Sequence, residues 1–131
     1  MTEIHWLAAT AIMTGLFWMS YATPRFFVWG IPATLGNPRS DLPALPAWAK
    51  RAEAAHKNAT ENLVVFAPLA IGVVMLGLSS ASTITLCSVY FFARFAHFVI
   101  YVMGIPVART LAFAAAWLVT MLLGLTILGL L

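Results

Sequence analysis

Four apolar runs recur along the chain, and each is long enough to form a helix across a lipid bilayer. They cover about residues 4–27, 48–78, 83–104 and 107–130, and a spanning helix needs roughly 20 mostly apolar residues. Only helices and closed barrels satisfy their backbone in lipid, and a barrel strand alternates over about 10 residues instead of staying apolar. The sequence therefore predicts an all-α, integral membrane four-helix bundle, with residues 1–131 as a single domain.

The basic residues indicate how this bundle would be oriented in the membrane. Only 8% of residues are charged and 63% are hydrophobic. The basic residues near the first connection are Arg25, Arg39, Lys50, Arg51 and Lys57, and those near the third are Arg94 and Arg109. The positive-inside rule places both connections in the cytoplasm and both termini outside. We attribute the net charge of +3 to topology and lipid attraction, and expect no nucleic-acid partner.

The first connection, residues 30–50, contains the residues that most often interrupt regular structure. They are Gly30, Pro32, Gly36, Pro38, Pro43 and Pro46. Since proline fixes φ and lacks a backbone donor, the sequence predicts an irregular loop here, followed by a long second helix.

Two rows of polar residues coincide with the cytoplasmic ends of the predicted helices. Arg51, Asn58 and Glu61 have the spacing of one helical face, and so do Arg94, His97 and Tyr101. Ionisable groups at this depth cost several kcal/mol unless they are paired or hydrated. One interpretation is a buried Arg94–Glu61 ion pair that fixes helix packing. The other is a small zwitterionic ligand held by arginine forks, a carboxylate and an amide.

These rows resemble the MAPEG family, the membrane-associated proteins of eicosanoid and glutathione metabolism, and its bacterial members most. The resemblance is carried by "RAEAAHKNATENLVVF" and "ARFAHFVIYVMGIPVARTLAF". In the first, Arg51, Asn58 and Glu61 match the family pattern. In the second, Arg94, His97 and Tyr101 match, and Arg109 follows at the start of the fourth helix.

The resemblance implies a homotrimer in a bacterial inner membrane, with glutathione as co-substrate bound between subunits near the cytoplasm. Its ligands would be Arg51, Asn58, Glu61, Arg94, His97 and Tyr101. Arg109 would be catalytic, because a nearby guanidinium favours the thiolate. A lipophilic electrophile would arrive from the bilayer, between the first and fourth helices of adjacent subunits, for conjugation or peroxide reduction.

Departures from the family pattern favour a second hypothesis. Ala54 stands where the family places an arginine, Asn62 replaces a tyrosine, and Val64 replaces a proline. A non-catalytic lipid-binding or scaffold protein, or an accessory subunit of a membrane complex, therefore stays an alternative.

Other sequence features give weaker indications of function. Glu53 and His56 form one Glu-x-x-His half of a di-iron motif, but too few carboxylates accompany them and we expect no metal site. The single cysteine, Cys87, is interpreted as a packing residue. A small multidrug exporter would need a membrane-embedded acid in the first helix, and Glu3 lies too close to the terminus for that role.

Overall fold

The computed structural model describes residues 1–37 and 39–131, and every regular element in this part of the chain is an α-helix. The helices are α1 (Glu3–Leu16), α2 (Trp18–Leu35), α3 (Ala47–Met75), α4 (Ala81–Met103) and α5 (Pro106–Ile127). The all-α prediction is confirmed. Pro38, one of the loop-forming residues of the sequence prediction, lies outside the described residues.

The first predicted span corresponds to two consecutive helices. Phe17 separates α1 from α2, yet its φ of −60° and ψ of −28° are helical, so the chain continues in nearly the same direction. The true interruption is Gly30, where φ is +76° and ψ is 169°. This region therefore approximates one long helix with a break near its end.

The prediction of an irregular loop over residues 30–50 was wrong for its first part. Helical structure resumes after Gly30 and continues to Leu35. Pro32 lies in the first turn of this short segment, where its missing N–H would have no partner and its fixed φ suits the helix. Proline therefore starts a helical turn here instead of preventing one.

Helix α3 packs against the rest of the bundle through small side chains. Its buried residues include Ala49, Ala52, Ala55 and Ala59, followed further along by Phe66 and Ala70. Small side chains allow helices to approach closely, which is how helices pack in lipid. Arg51 and Asn58, which lie between these alanines, are thereby brought near α4.

Helix α4 contacts α1, α3 and α5. Its N-cap Ser80 accepts a hydrogen bond from the Thr83 backbone N–H. At its other end Gly104 adopts a left-handed conformation with φ of +79°. Pro106 then begins α5, so only a short turn separates the two helices.

Three helices are long and apolar enough to cross a membrane, namely Ala47–Met75, Ala81–Met103 and Pro106–Ile127. Apolar side chains are widely exposed on the protomer surface, including Phe27, Val64 and Met75. Such a surface is stable in lipid and not in water. The protein is therefore an integral membrane protein.

Candidate functional site

A polar cavity of about 260 Å³ lies where α3, α4 and α5 meet. It is lined by Asn58, His97, Tyr101, Arg109, Thr110 and Phe113. Four of these residues, Asn58, His97, Tyr101 and Arg109, were predicted as site residues from the sequence. The fold thus brings residues from three different helices to one place.

The short α4–α5 turn positions Arg109 beside the last turn of α4. The guanidinium carbon of Arg109 lies 4.5 Å from the centre of the Tyr101 ring, a cation–π contact. Tyr101 in turn meets His97 edge-on, with ring centroids 5.6 Å apart. Arg109 is only partly buried, so its charge remains available to a ligand in the cavity.

Arg94 lies behind this cavity and does not line it. Its side chain is 1% exposed, and Nη2 donates a hydrogen bond of 2.8 Å to Oδ1 of Asn58. Within residues 1–37 and 39–131, Nε and Nη1 of Arg94 are buried and have no hydrogen-bond partner. The buried guanidinium is therefore held by an amide and not by a carboxylate.

The interpretation of Arg94 and Glu61 as a buried ion pair was wrong. Glu61 is exposed, and the ion pairs among the described residues are Arg25–Glu53 and Arg39–Asp41. Asn58 is one turn before Glu61 on α3 and occupies the position facing Arg94. Glu61 instead points away from the protomer core, outside the cavity.

Arg51 also lies apart from the cavity. Its Nε donates a hydrogen bond of 2.9 Å to the backbone oxygen of Val102, in the last turn of α4. A Cβ added to Gly104 would lie 3.2 Å from the same nitrogen. Arg51 therefore packs over the α4–α5 turn and satisfies one of the free carbonyls that end a helix.

A second polar cluster joins α2 and α3 on another side of the protomer. The Tyr21 hydroxyl and Nδ1 of His56 are 2.9 Å apart, and Arg25 forms an ion pair of 3.0 Å with Glu53. A cavity of about 510 Å³ beside them is lined by Tyr21, Lys50, Glu53, Ala54, His56, Lys57 and Thr60. Ala54, where the family pattern has an arginine, therefore leaves open space at this surface.

An apolar groove of about 670 Å³ runs between α1 and α4. Its walls include Ile12, Leu16, Phe91, Phe95 and Val99. The floor is formed by Phe17 and Phe98, whose rings stack with centroids 3.7 Å apart. This groove has the size and polarity for a hydrocarbon chain.

The chain also matches a known protein family. The model of the MAPEG family matches residues 4–129, nearly the whole chain. The chain belongs to the MAPEG family. No curated protein and no solved structure matches it.

The structure of this MAPEG chain also places at the site some residues that were not predicted from the sequence. Thr110 and Phe113 line the cavity, and Phe113 could have been found because it lies four residues after Arg109, on the same helical face. Asn62 donates a hydrogen bond of 2.8 Å to the backbone oxygen of Asn58. It was noted only as a departure, although its i+4 spacing from Asn58 suggests contact.

No three histidine, cysteine, aspartate or glutamate side chains lie close enough to hold a metal ion in the part of this MAPEG chain that the structure describes. Glu53 and His56 instead each contact α2. Cys87 is fully buried, among the aliphatic and aromatic side chains of the core.

Proposed function

We propose that the protein is a membrane-embedded, glutathione-dependent transferase or peroxidase that acts on lipophilic electrophiles. The observation that carries this proposal is the cavity in which Asn58, His97, Tyr101 and Arg109 converge. It combines an arginine with three neutral hydrogen-bonding side chains. A short peptide thiol with carboxylate groups is a ligand that such a set can recognise.

In this proposal Arg109 is the catalytic residue. A thiol with a pKa of about 8.5 is mostly protonated at neutral pH, and its thiolate is the nucleophile. A guanidinium within a few ångströms stabilises the thiolate and lowers the thiol pKa. The thiolate sulfur then forms a bond to an electrophilic carbon, whose leaving group departs, or attacks a peroxide oxygen and breaks the O–O bond, with a second thiol completing the reduction.

The cavity of a single protomer is small for a ligand site. Ligand pockets usually enclose about 300–1,000 Å³, whereas this one measures about 260 Å³. Arg51 and Glu61, the remaining predicted ligands, lie outside it. Both facts support a site completed by a neighbouring subunit of a homotrimer, in which the exposed Glu61 would face the neighbour.

The direct experiment measures thiolate formation on the purified protein in detergent. Glutathione is added at millimolar concentration, and the ultraviolet absorbance of the thiolate is followed as the pH is raised. For the wild type we expect a titration midpoint below the ordinary thiol pKa. In Arg109→Ala the midpoint should rise by about one pH unit or more, the equivalent of a tenfold loss of thiolate.

Two variants serve as controls for this titration. Arg109→Lys keeps the positive charge and should retain part of the shift. Arg39→Ala removes an exposed arginine that pairs with Asp41, and should leave the midpoint unchanged. If the wild type binds no glutathione, the proposed activity is wrong. If it binds glutathione but forms no thiolate, the proposed binding is correct and the proposed catalysis is wrong.

The apolar groove between α1 and α4 favours one alternative, a non-catalytic lipid-binding protein. Its lining is almost entirely hydrocarbon, and Ala54 removes an arginine expected for glutathione. In that case a fluorescent fatty acid should bind, glutathione should not compete with it, and Arg109→Ala should not change its affinity. Competition by glutathione would instead support the transferase.

A further inference from the structure

The orientation of the Asn58 amide is fixed by the side chain of Arg94. A guanidinium has donors and no acceptor, so the amide atom 2.8 Å from Nη2 of Arg94 is the oxygen, Oδ1. Nδ2 of Asn62 lies on the same side, 2.8 Å from the Asn58 backbone oxygen and 3.4 Å from Oδ1. Both neighbours are donors, so the amide oxygen is the atom that faces Arg94 and Asn62.

The amide nitrogen of Asn58 is left to the cavity. Within the described ranges, 1–37 and 39–131, Nδ2 of Asn58 makes no hydrogen bond, while Asn58 lines the cavity together with Tyr101 and Arg109. An amide NH₂, a phenol hydroxyl and a guanidinium all can donate. These three side chains can therefore donate hydrogen bonds to a ligand, while the Asn58 oxygen is already bound to Arg94; His97, which also lines the cavity, can accept as well as donate.

Burying Arg94 costs free energy, which indicates that this side chain has a role beyond packing. A charged side chain inside a membrane protein costs several kcal/mol unless it is paired. Arg94 is 1% exposed, its neighbour Asn58 is neutral, and two of its three nitrogens lack partners within the described part of the chain. A leucine or methionine would fill this volume at lower cost.

We propose that Arg94 is a positioning residue that holds Asn58 with its NH₂ group toward the cavity, so that the site selects an anionic group, such as a carboxylate, over a neutral one. This deepens the proposed function and rests on it for the identity of the ligand. It also revises the expectation from the sequence, in which Arg94 contacted glutathione directly.

The first measurement needs no ligand. In Asn58→Asp, the new carboxylate would form an ion pair with Arg94, so the thermal unfolding midpoint should equal or exceed that of the wild type. In an Arg94→Met background, Asn58→Asp should lower the midpoint, because the carboxylate is then buried without its partner. Additive effects of the two substitutions would overturn the proposed coupling between Arg94 and Asn58.

The second measurement compares glutathione with its diethyl ester, in which both carboxylates are neutralised. The wild type should bind the acid more tightly than the ester, and Asn58→Asp should lose affinity for the acid by about tenfold or more, since an NH₂ donor is replaced by a like charge. Arg94→Met should reduce the acid-to-ester preference, and Arg94→Lys should restore part of it, because an ammonium can still donate to Oδ1.

The two measurements separate the possible failures. If Arg94→Met lowers stability but leaves the acid-to-ester ratio unchanged, Arg94 has only a structural role and the inference is wrong. If the wild type binds neither glutathione nor its ester, the proposed function is wrong, and so is the proposed selectivity for an anionic group. The thermal coupling then still decides whether Arg94 orients Asn58.

Discussion

Gly104 shows how one residue links the helix end to the ligand site. It ends α4 with φ of +79°, a conformation that costs an L-residue with a side chain about 1–2 kcal/mol. Its missing Cβ also makes room for Arg51, whose Nε would lie 3.2 Å from that atom. The turn that places Arg109 beside Tyr101 therefore depends on glycine at this position.

We predict that Gly104→Ala lowers the free energy of unfolding by about 1–2 kcal/mol, from the left-handed backbone alone. The added methyl group should also displace Arg51 and weaken its hydrogen bond to Val102. Reversible unfolding in mixed detergent micelles measures the change.

Gly15→Ala is the matched control for this substitution. Gly15 lies within α1, and a Cβ added there would meet no atom within 4 Å. Because alanine has the higher helix propensity, the control should be neutral or stabilising by up to about 1 kcal/mol. Equal effects of the two substitutions would contradict the special role of Gly104.

At the scale of elements, α1 and α4 are joined at the end of the bundle opposite the candidate site. Glu3 is 1% exposed, and its Oε1 accepts a hydrogen bond from Oγ1 of Thr83. The same hydroxyl oxygen accepts a hydrogen bond from the backbone N–H of Ser80. Thr83 therefore both caps α4 and binds a buried carboxylate of α1.

We predict that Thr83→Val destabilises the fold by about 2 kcal/mol. Valine keeps the shape of threonine but leaves the buried Glu3 carboxylate without this donor, and an unsatisfied buried polar group costs about 1–3 kcal/mol. The midpoint of thermal unfolding, followed by circular dichroism, measures the effect.

Thr85→Val provides the comparison for Thr83→Val. Thr85 is exposed, and its hydroxyl donates only to the backbone oxygen of Ala81 within its own helix. The same change of side chain there should stay within about 0.5 kcal/mol. A loss at Thr83 no larger than that at Thr85 would show that Glu3 does not depend on this contact.

For the whole molecule, the question is how many protomers assemble. The protomer has a candidate cavity of about 260 Å³, and Glu61 is exposed on α3 without an ion-pair partner among the described residues. A carboxylate on a helix that enters lipid is costly unless something covers it. A neighbouring subunit would both cover Glu61 and enlarge the cavity.

We predict an oligomer in mild detergent, and from the family resemblance we expect a homotrimer. Native mass spectrometry should give three times the protomer mass of 14.2 kDa, and dilution in the same detergent should not release monomers readily. A stable monomer that still binds glutathione would contradict a site shared between subunits. A different closed oligomer would keep the shared site but exclude the trimer.

Much of the fold could be predicted from the sequence because lipid imposes strong local requirements. Runs of about 20 apolar residues must be helical where no water can bond the backbone, and the all-α fold follows directly. The helical spacing of His97 and Tyr101, with Arg109 after a short turn, also placed these residues near one another. The family resemblance rested on the same residues.

The tertiary structure alone decided the partners of the charged groups. Helical spacing says which residues share a face, but not which atom on another helix lies opposite, because the rotation and depth of each helix depend on packing. Thus Arg94 meets Asn58 and not Glu61, Arg51 covers the α4–α5 turn, and Glu3 is buried although it stands near the terminus. The contacts of Arg94 and Arg51 depend on close packing of α3 through its alanines, and they determine which polar atoms remain for a ligand.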